Sequence, residues 1–136
     1  MAIINTLQKC LESPYLALDK EAPAQVGSLL AKAGDRLEAA NNIFTTGQGD
    51  LADVNFLGYE AMFCCVRALV YNKGYREMGL RCLLLAAEGL YVKPGKLDVK
   101  HLHAFERAQG LKLTPEETIE SASAFVKRTL ELLGEG

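Results

Sequence analysis

A chain of 136 residues with a formal net charge of −2 and 49% hydrophobic residues has the length of one domain and enough apolar surface for a real core. That charge balance excludes a globally basic surface of the kind that attracts nucleic acid over the whole molecule, and no uninterrupted run of about 18 apolar residues is present to span a membrane. The opening MAIINTLQKCLESPY has a single early Lys and an apolar stretch broken by Gln and Glu, unlike a signal peptide, so a cytoplasmic protein is expected.

Apolar residues recur at helical spacing along nearly the whole chain, and no segment sustains a period of two. Ile3 to Leu11 forms a short amphipathic stretch stopped near Ser13-Pro14, and residues 1–22 read as an N-terminal arm that packs across the rest or onto a partner. A first long helix is expected from about Ala24 to Thr45, with Val26, Leu29, Leu30, Ala33, Leu37, Ala40 and Phe44 on one stripe. TGQGD breaks it, and Asp50 can cap a second helix from about Leu51 to Lys73, closed by Gly74. A third helix should run from about Glu77 to Tyr91, before KPGK forces a loop, and a fourth from Asp98 to about Ala108. The last helix has the clearest start. Thr114 is placed as N-cap, Pro115 as first helical residue and Glu117 three residues after the cap, with a stripe running to Leu133. Short connections between these segments imply an all-α, up-and-down antiparallel bundle of four to five helices over residues 23–136.

The four cysteines, Cys10, Cys64, Cys65 and Cys82, contain no C-x-x-C. Cys64 and Cys65 point about 100° apart on a helix and do not converge on one ion. All four are read as reduced, buried thiols that fill space.

The second helix sorts into faces at 100° per residue. Phe56, Tyr59, Met62, Phe63, Val66, Leu69 and Val70 cover a broad arc, and Glu60, Cys64, Arg67 and Tyr71 make a narrow polar line beside it. Leu57, Ala61, Cys65 and Ala68 lie beyond, small or apolar again. Such a helix is touched by several neighbours. Glu60 and Arg67 stand two turns apart, so each is expected to meet a group on another helix or subunit.

The stretch YEAMFCCVRALVYNKGY, residues 59–75, resembles the signature helix of small HEPN-domain proteins, in which Y-x-A-M-F-x-x-x-R-A-L ends in K-G. Tyr59, Ala61, Met62, Phe63, Arg67, Ala68, Leu69, Lys73 and Gly74 match it residue by residue. DRLEAANNIF before the Gly/Asp turn and TPEETIESASAFV near the end are similar to that family's first and last helices, so the resemblance covers about Pro23 to Leu133. It implies a helical bundle, often a homodimer, that binds nucleotide or RNA. It also implies pairing, in many members, with a nucleotidyltransferase or antitoxin protein in toxin–antitoxin modules.

Some members of that family are metal-independent ribonucleases with an R-x(4–6)-H motif near the start of the last helix. Here Arg107 is the Arg in that neighbourhood, and Lys112, Leu113 and Thr114 occupy the His positions. Without an imidazole, acid–base work at neutral pH loses its usual agent. Arg107 and Glu60 are left as the catalytic candidates of a diverged ribonuclease. His101 and His103 point nearly opposite ways on a helix, one to solvent and one inward, and share no metal.

Lys73, Arg76 and Arg81 cluster at the turn after the second helix, and with Arg67 they are the candidate ligand-binding residues, since Arg offers phosphate a planar fork. No metal or cofactor motif is present. The expectation is therefore a non-catalytic HEPN-like binding module. Its alternatives are a ribonuclease with a rearranged site and a purely structural, oligomerising bundle.

Overall fold

The computed structural model describes residues 4–134, so Ile3 and the last two residues lie outside the described part. Six α-helices stand among those residues, and the fold is an all-α bundle with one very small sheet. Thr6 accepts a hydrogen bond from the Lys9 N–H at 3.1 Å and starts α1 (Leu7–Leu11). After β1 (Leu16–Leu18) and a 3-10 turn (Ala22–Gln25), α2 runs over Val26–Thr46. The Asp50 carboxylate accepts from the Ala52 N–H at 2.9 Å and caps α3 (Leu51–Asn72) as its position in the sequence suggests. β2 (Tyr75–Glu77) follows, then α4 (Leu80–Ala87), drawn out by a π turn over Glu88–Val92. Last come α5 (Lys100–Gln109) and α6 (Pro115–Thr129), also extended by a π turn, Leu130–Gly134. Thr114 and Glu117 close the expected capping box reciprocally, at 3.1 and 2.9 Å.

α3 is the centre. Ala61, Met62, Cys65, Val66, Ala68, Leu69 and Val70 have no exposed surface, because α2, α4, α5 and α6 all pack on this helix. It is the one described helix long and apolar enough to cross a bilayer, and here those apolar side chains meet the other helices. α2 and α3 form an antiparallel hairpin, as do α5 and α6. Thr118 of α6 hydrogen-bonds Asn55 of α3 at 2.8 Å, and Thr129 reaches Cys65. These contacts lay α6 beside α3 in the same direction. The crossing is close: a Cβ on Gly58 would collide with the Thr118 methyl, so the absence of a side chain at 58 sets the approach of α6.

Two expectations are corrected. The third helix does not begin at Glu77: Tyr75–Glu77 is a strand paired antiparallel with Leu16–Leu18, Leu16 opposite Glu77 and Leu18 opposite Tyr75. Three residues are too few for alternation to appear in the sequence. The pairing arises from the chain's return, with Gly74 at φ 86° turning it out of α3 and main-chain bonds Met78 N–H to Tyr15 O and Asp19 N–H to Gly74 O, both 2.8 Å. The N-terminal arm thus packs across the bundle, one of the two placements expected of it.

The second correction concerns the thiols. Cys64 and Cys65 are free and buried, as read, but Cys10 and Cys82 are joined in a disulfide across a sequence separation of 72 residues. No spacing in the sequence announces that pair. It follows from the placement of α1 on α4, where Leu7 covers Gly89 and the Arg81 side chain donates to the Ile4 carbonyl. A five-residue helix does not persist alone in water, so the bond and the β ladder hold the arm. Alkylation of the unreduced, unfolded chain is expected to label Cys64 and Cys65 only, with Cys10 and Cys82 labelled after reduction. Cys10→Ser is expected to cost about 2–4 kcal/mol of stability, read as a lower urea midpoint.

Candidate functional site

The polar line of α3 ends at β2. Arg67 and Tyr71, four residues apart on one face, both reach across the Gly74 turn to Glu77. Arg67 Nε donates to Glu77 Oε2 at 2.9 Å, and the Tyr71 hydroxyl donates to Oε1 at 2.7 Å. The Glu77 side chain is only 7% exposed, so both carboxylate oxygens have left water for these two donors. Burial, then the hydrogen bond to Glu77 and its charge, push the Tyr71 phenol up to about 12. The Arg67 guanidinium lies 4.2 Å from the centre of the Phe63 ring.

Arg76, on β2, places Nε 2.8 Å from Asp19 Oδ2 of the arm, an ion pair without hydrogen-bond alignment, so this buried N–H has no acceptor. Its guanidinium sits 5.3 Å from the Tyr71 ring centre. Phe63, Arg67, Tyr71, Arg76, Glu77 and the Met78–Leu80 turn line an open hollow of about 390 Å³. Two guanidiniums, each backed by an aromatic face, therefore flank one concave surface.

The four ligand-binding candidates divide. Arg67 and Arg76 are brought together. Lys73 stands apart, its ammonium 5.5 Å from the Tyr91 ring centre at the end of α3. Arg81 is held by the Ile4 carbonyl and lines the neighbouring groove between α4 and α5. The catalytic candidates are not united either: Glu60 is engaged by Arg36 of α2 at 3.3 Å, and Arg107 is exposed in the last turn of α5. No hydrogen bond, ion pair or cavity among the described residues joins them. Glu60 finds its partner on another helix, as its spacing suggests, whereas Arg67 pairs with Glu77 on the strand that follows α3 rather than on another helix or subunit.

His101 is buried and stacked on Phe125, ring centres 5.1 Å apart, while His103 is exposed, matching the opposite directions expected of them. Among the described residues no three His, Cys, Asp or Glu are grouped to hold a metal ion. Sequence reasoning missed Glu77 and Asp19, the acids that orient both arginines. The i, i+4 pairing of Arg67 with Tyr71 was an available signal for a shared partner. Compared with family models, curated proteins and solved structures, the chain finds no match in any of the three.

Glu77→Ala is expected to cost about 1–3 kcal/mol, the penalty of stranding a buried donor, and to bring the Tyr71 titration down from about 12. Urea unfolding and ultraviolet titration of tyrosinate check the two. Burial, with Lys100 and Arg128 nearby, lowers the His101 pKa, against a smaller opposing effect of Asp98. The folded state therefore holds this ring neutral. Stability is expected to be full above the ordinary His value near 6.5 and to fall as pH drops through and below it, because the unfolded chain binds the proton more readily. His101→Phe, which keeps the stack, should flatten that part of a melting-temperature profile.

Proposed function

We propose that this protein is a non-catalytic, HEPN-like binding module that holds a phosphate-bearing ligand, a nucleotide or RNA, at the hollow between α3 and β2. The observation that supports this reading is the pairing of Arg67 and Arg76 on one concave wall. The Arg67 Nε donates to Glu77, which fixes that guanidinium plane, and the Arg76 Nε lies 2.8 Å from Asp19 as an ion pair. Their terminal amino groups meet no acceptor among the described residues, and the two side chains keep 42% and 37% exposure. Groups oriented in this way suit a phosphate, which takes up two N–H bonds from a planar fork.

The rest of the proposal follows the resemblance of residues 59–75. A nucleotidyltransferase or antitoxin protein is the partner it implies, in a toxin–antitoxin setting. The Cys10–Cys82 disulfide is of a kind rare in the cytosol, so the alkylation pattern expected above speaks against the cytoplasmic location read from the sequence. The separation of Arg107 from Glu60 favours binding over ribonuclease chemistry.

Titration with ATP and with a short single-stranded RNA tests the site. Arg67→Ala and Arg76→Ala are each expected to weaken binding about 10-fold, or roughly 1.4 kcal/mol, and to flatten its salt dependence. Lys73→Ala and Arg107→Ala are expected to leave it unchanged, with the RNA intact under chelation. Binding indifferent to both Arg67→Ala and Arg76→Ala would overturn the site, and cleavage abolished by Arg107→Ala would overturn the non-catalytic reading.

A further inference from the structure

The N-terminal arm is held to the bundle by several weak contacts and one covalent bond. α1 has five residues, and β1 pairs with β2 over only three. A helix that short and a two-stranded ladder are both marginal in water. Besides Cys10, the buried apolar residues of the described arm are Leu16 and Ala22. The Asp19–Arg76 ion pair is partly exposed at both ends, and pairs of that kind add little. The Cys10–Cys82 bond, which bridges 72 positions, is therefore the firmest tie, since closing a long loop restricts the detached chain most.

That bond is reachable from solvent. A hollow of about 250 Å³ lies between the arm and the start of α4, lined by Ile4, Tyr15, Gly79, Leu80, Arg81 and Cys82. Cys82 keeps 3% exposure while Cys10 is fully covered, so a small thiol entering the hollow meets Cys82 Sγ first. Gly79 and Leu80 also line the Arg67–Arg76 hollow, and the two recesses share that wall. The arm touches the second hollow electrostatically as well. Its Asp19 carboxylate stands 2.8 Å from Arg76 Nε, where it offsets one of the two positive charges that an anion would meet. The docked arm and an anion therefore compete for Arg76.

We propose that the Cys10–Cys82 disulfide is a redox latch: closed, it keeps Asp19 against Arg76, and reduced by a dithiol, it lets the arm leave β2 and frees Arg76 for an anion. One thiolate of the dithiol attacks Cys82 Sγ, the S–S bond breaks, and Cys10 departs as a thiolate that takes up a proton. The second thiol of the reductant then displaces Cys82, and the reductant leaves as its own disulfide. The two electrons and two protons of the dithiol end on Cys10 and Cys82. Cys64 and Cys65, free and buried in α3, take no part. Glu77 stays with Arg67 and Tyr71 throughout, so the hollow survives departure of the arm. The effect on anion binding rests on reading that hollow as a phosphate site; the release of the arm does not.

Hydrogen exchange and ATP titration of the full chain, with and without dithiothreitol, test this. Reduction is expected to speed amide exchange across residues 16–19 at least about 10-fold, while α3 and α6 keep their protection. The reduced protein is expected to bind ATP about 5-fold more tightly than the oxidised one, the size of a partly exposed ion pair. Asp19→Asn should give the oxidised protein that higher affinity and abolish its response to reduction. Cys10→Ser should show both changes without reductant, with protection of α3 confirming its fold. Exchange in the arm that ignores reduction overturns the latch. A released arm with ATP affinity indifferent to reduction and to Asp19→Asn, but still weakened by Arg67→Ala, overturns the coupling and leaves the phosphate site standing. ATP bound by neither redox form overturns the phosphate site, and exchange alone then decides the latch.

Discussion

Burial of α3 on several sides is the constraint from which the rest of this structure follows. A helix with small and apolar residues around most of its circumference must be covered by several partners, and α2, α4, α5 and α6 supply the cover. The requirement fixes details at its surface. Gly58 lets Thr118 sit against the α3 backbone, and the Tyr91 hydroxyl donates to the Leu69 carbonyl at 2.6 Å. Tyr59, Phe63 and Phe105 form a ring cluster, with Tyr59 and Phe105 stacked 5.3 Å apart. The cysteines at 64 and 65 belong to this core: burial pushes both thiols up, Cys65 to about 12, so they stay protonated and inert as nucleophiles.

The charged residues on the polar line of α3, Glu60 and Arg67, stay partly exposed, and the structure handles them in two ways. Near the middle, Glu60 turns to Arg36 at the edge of α2. Toward the C-terminus, Arg67 and Tyr71 converge on Glu77, a carboxylate almost closed off from water. Such a group is retained only with both oxygens engaged, since an unpaired buried charge is costly. The strand β2 exists at the position that brings Glu77 to them. The N-terminal arm then contributes Asp19, just past β1, whose carboxylate pairs with Arg76. A short sheet, an ion pair and a disulfide together tie the arm to β2 and α4, the elements that carry part of the wall of the hollow.

The resulting concave surface has a definite chemical character. Each of its two cations is paired with an acid and lies near an aromatic ring, and both side chains remain partly exposed. The opposite end of the bundle differs in kind, with Leu51, Phe56 and Leu111 exposed there.

By itself the sequence determined the helices and the buried face of α3, because a 3.6-residue period, caps such as Asp50 and Thr114, and breakers such as Gly74 act within a few residues of chain. It also marked Arg67 and Tyr71 as sharing a face. The tertiary structure alone decided which groups those side chains meet. The Cys10–Cys82 bond, the β1–β2 ladder and the Arg76–Asp19 pair all join the arm to residues more than 50 positions away, where local spacing carries no signal. It also divided the basic cluster, since residues 73, 76 and 81 are neighbours along the chain but lie on a helix end, a strand and another helix. Leu111 shows the same limit: its exposure and strained backbone follow from how α5 and α6 join over the end of α3, a relation set by packing between distant segments.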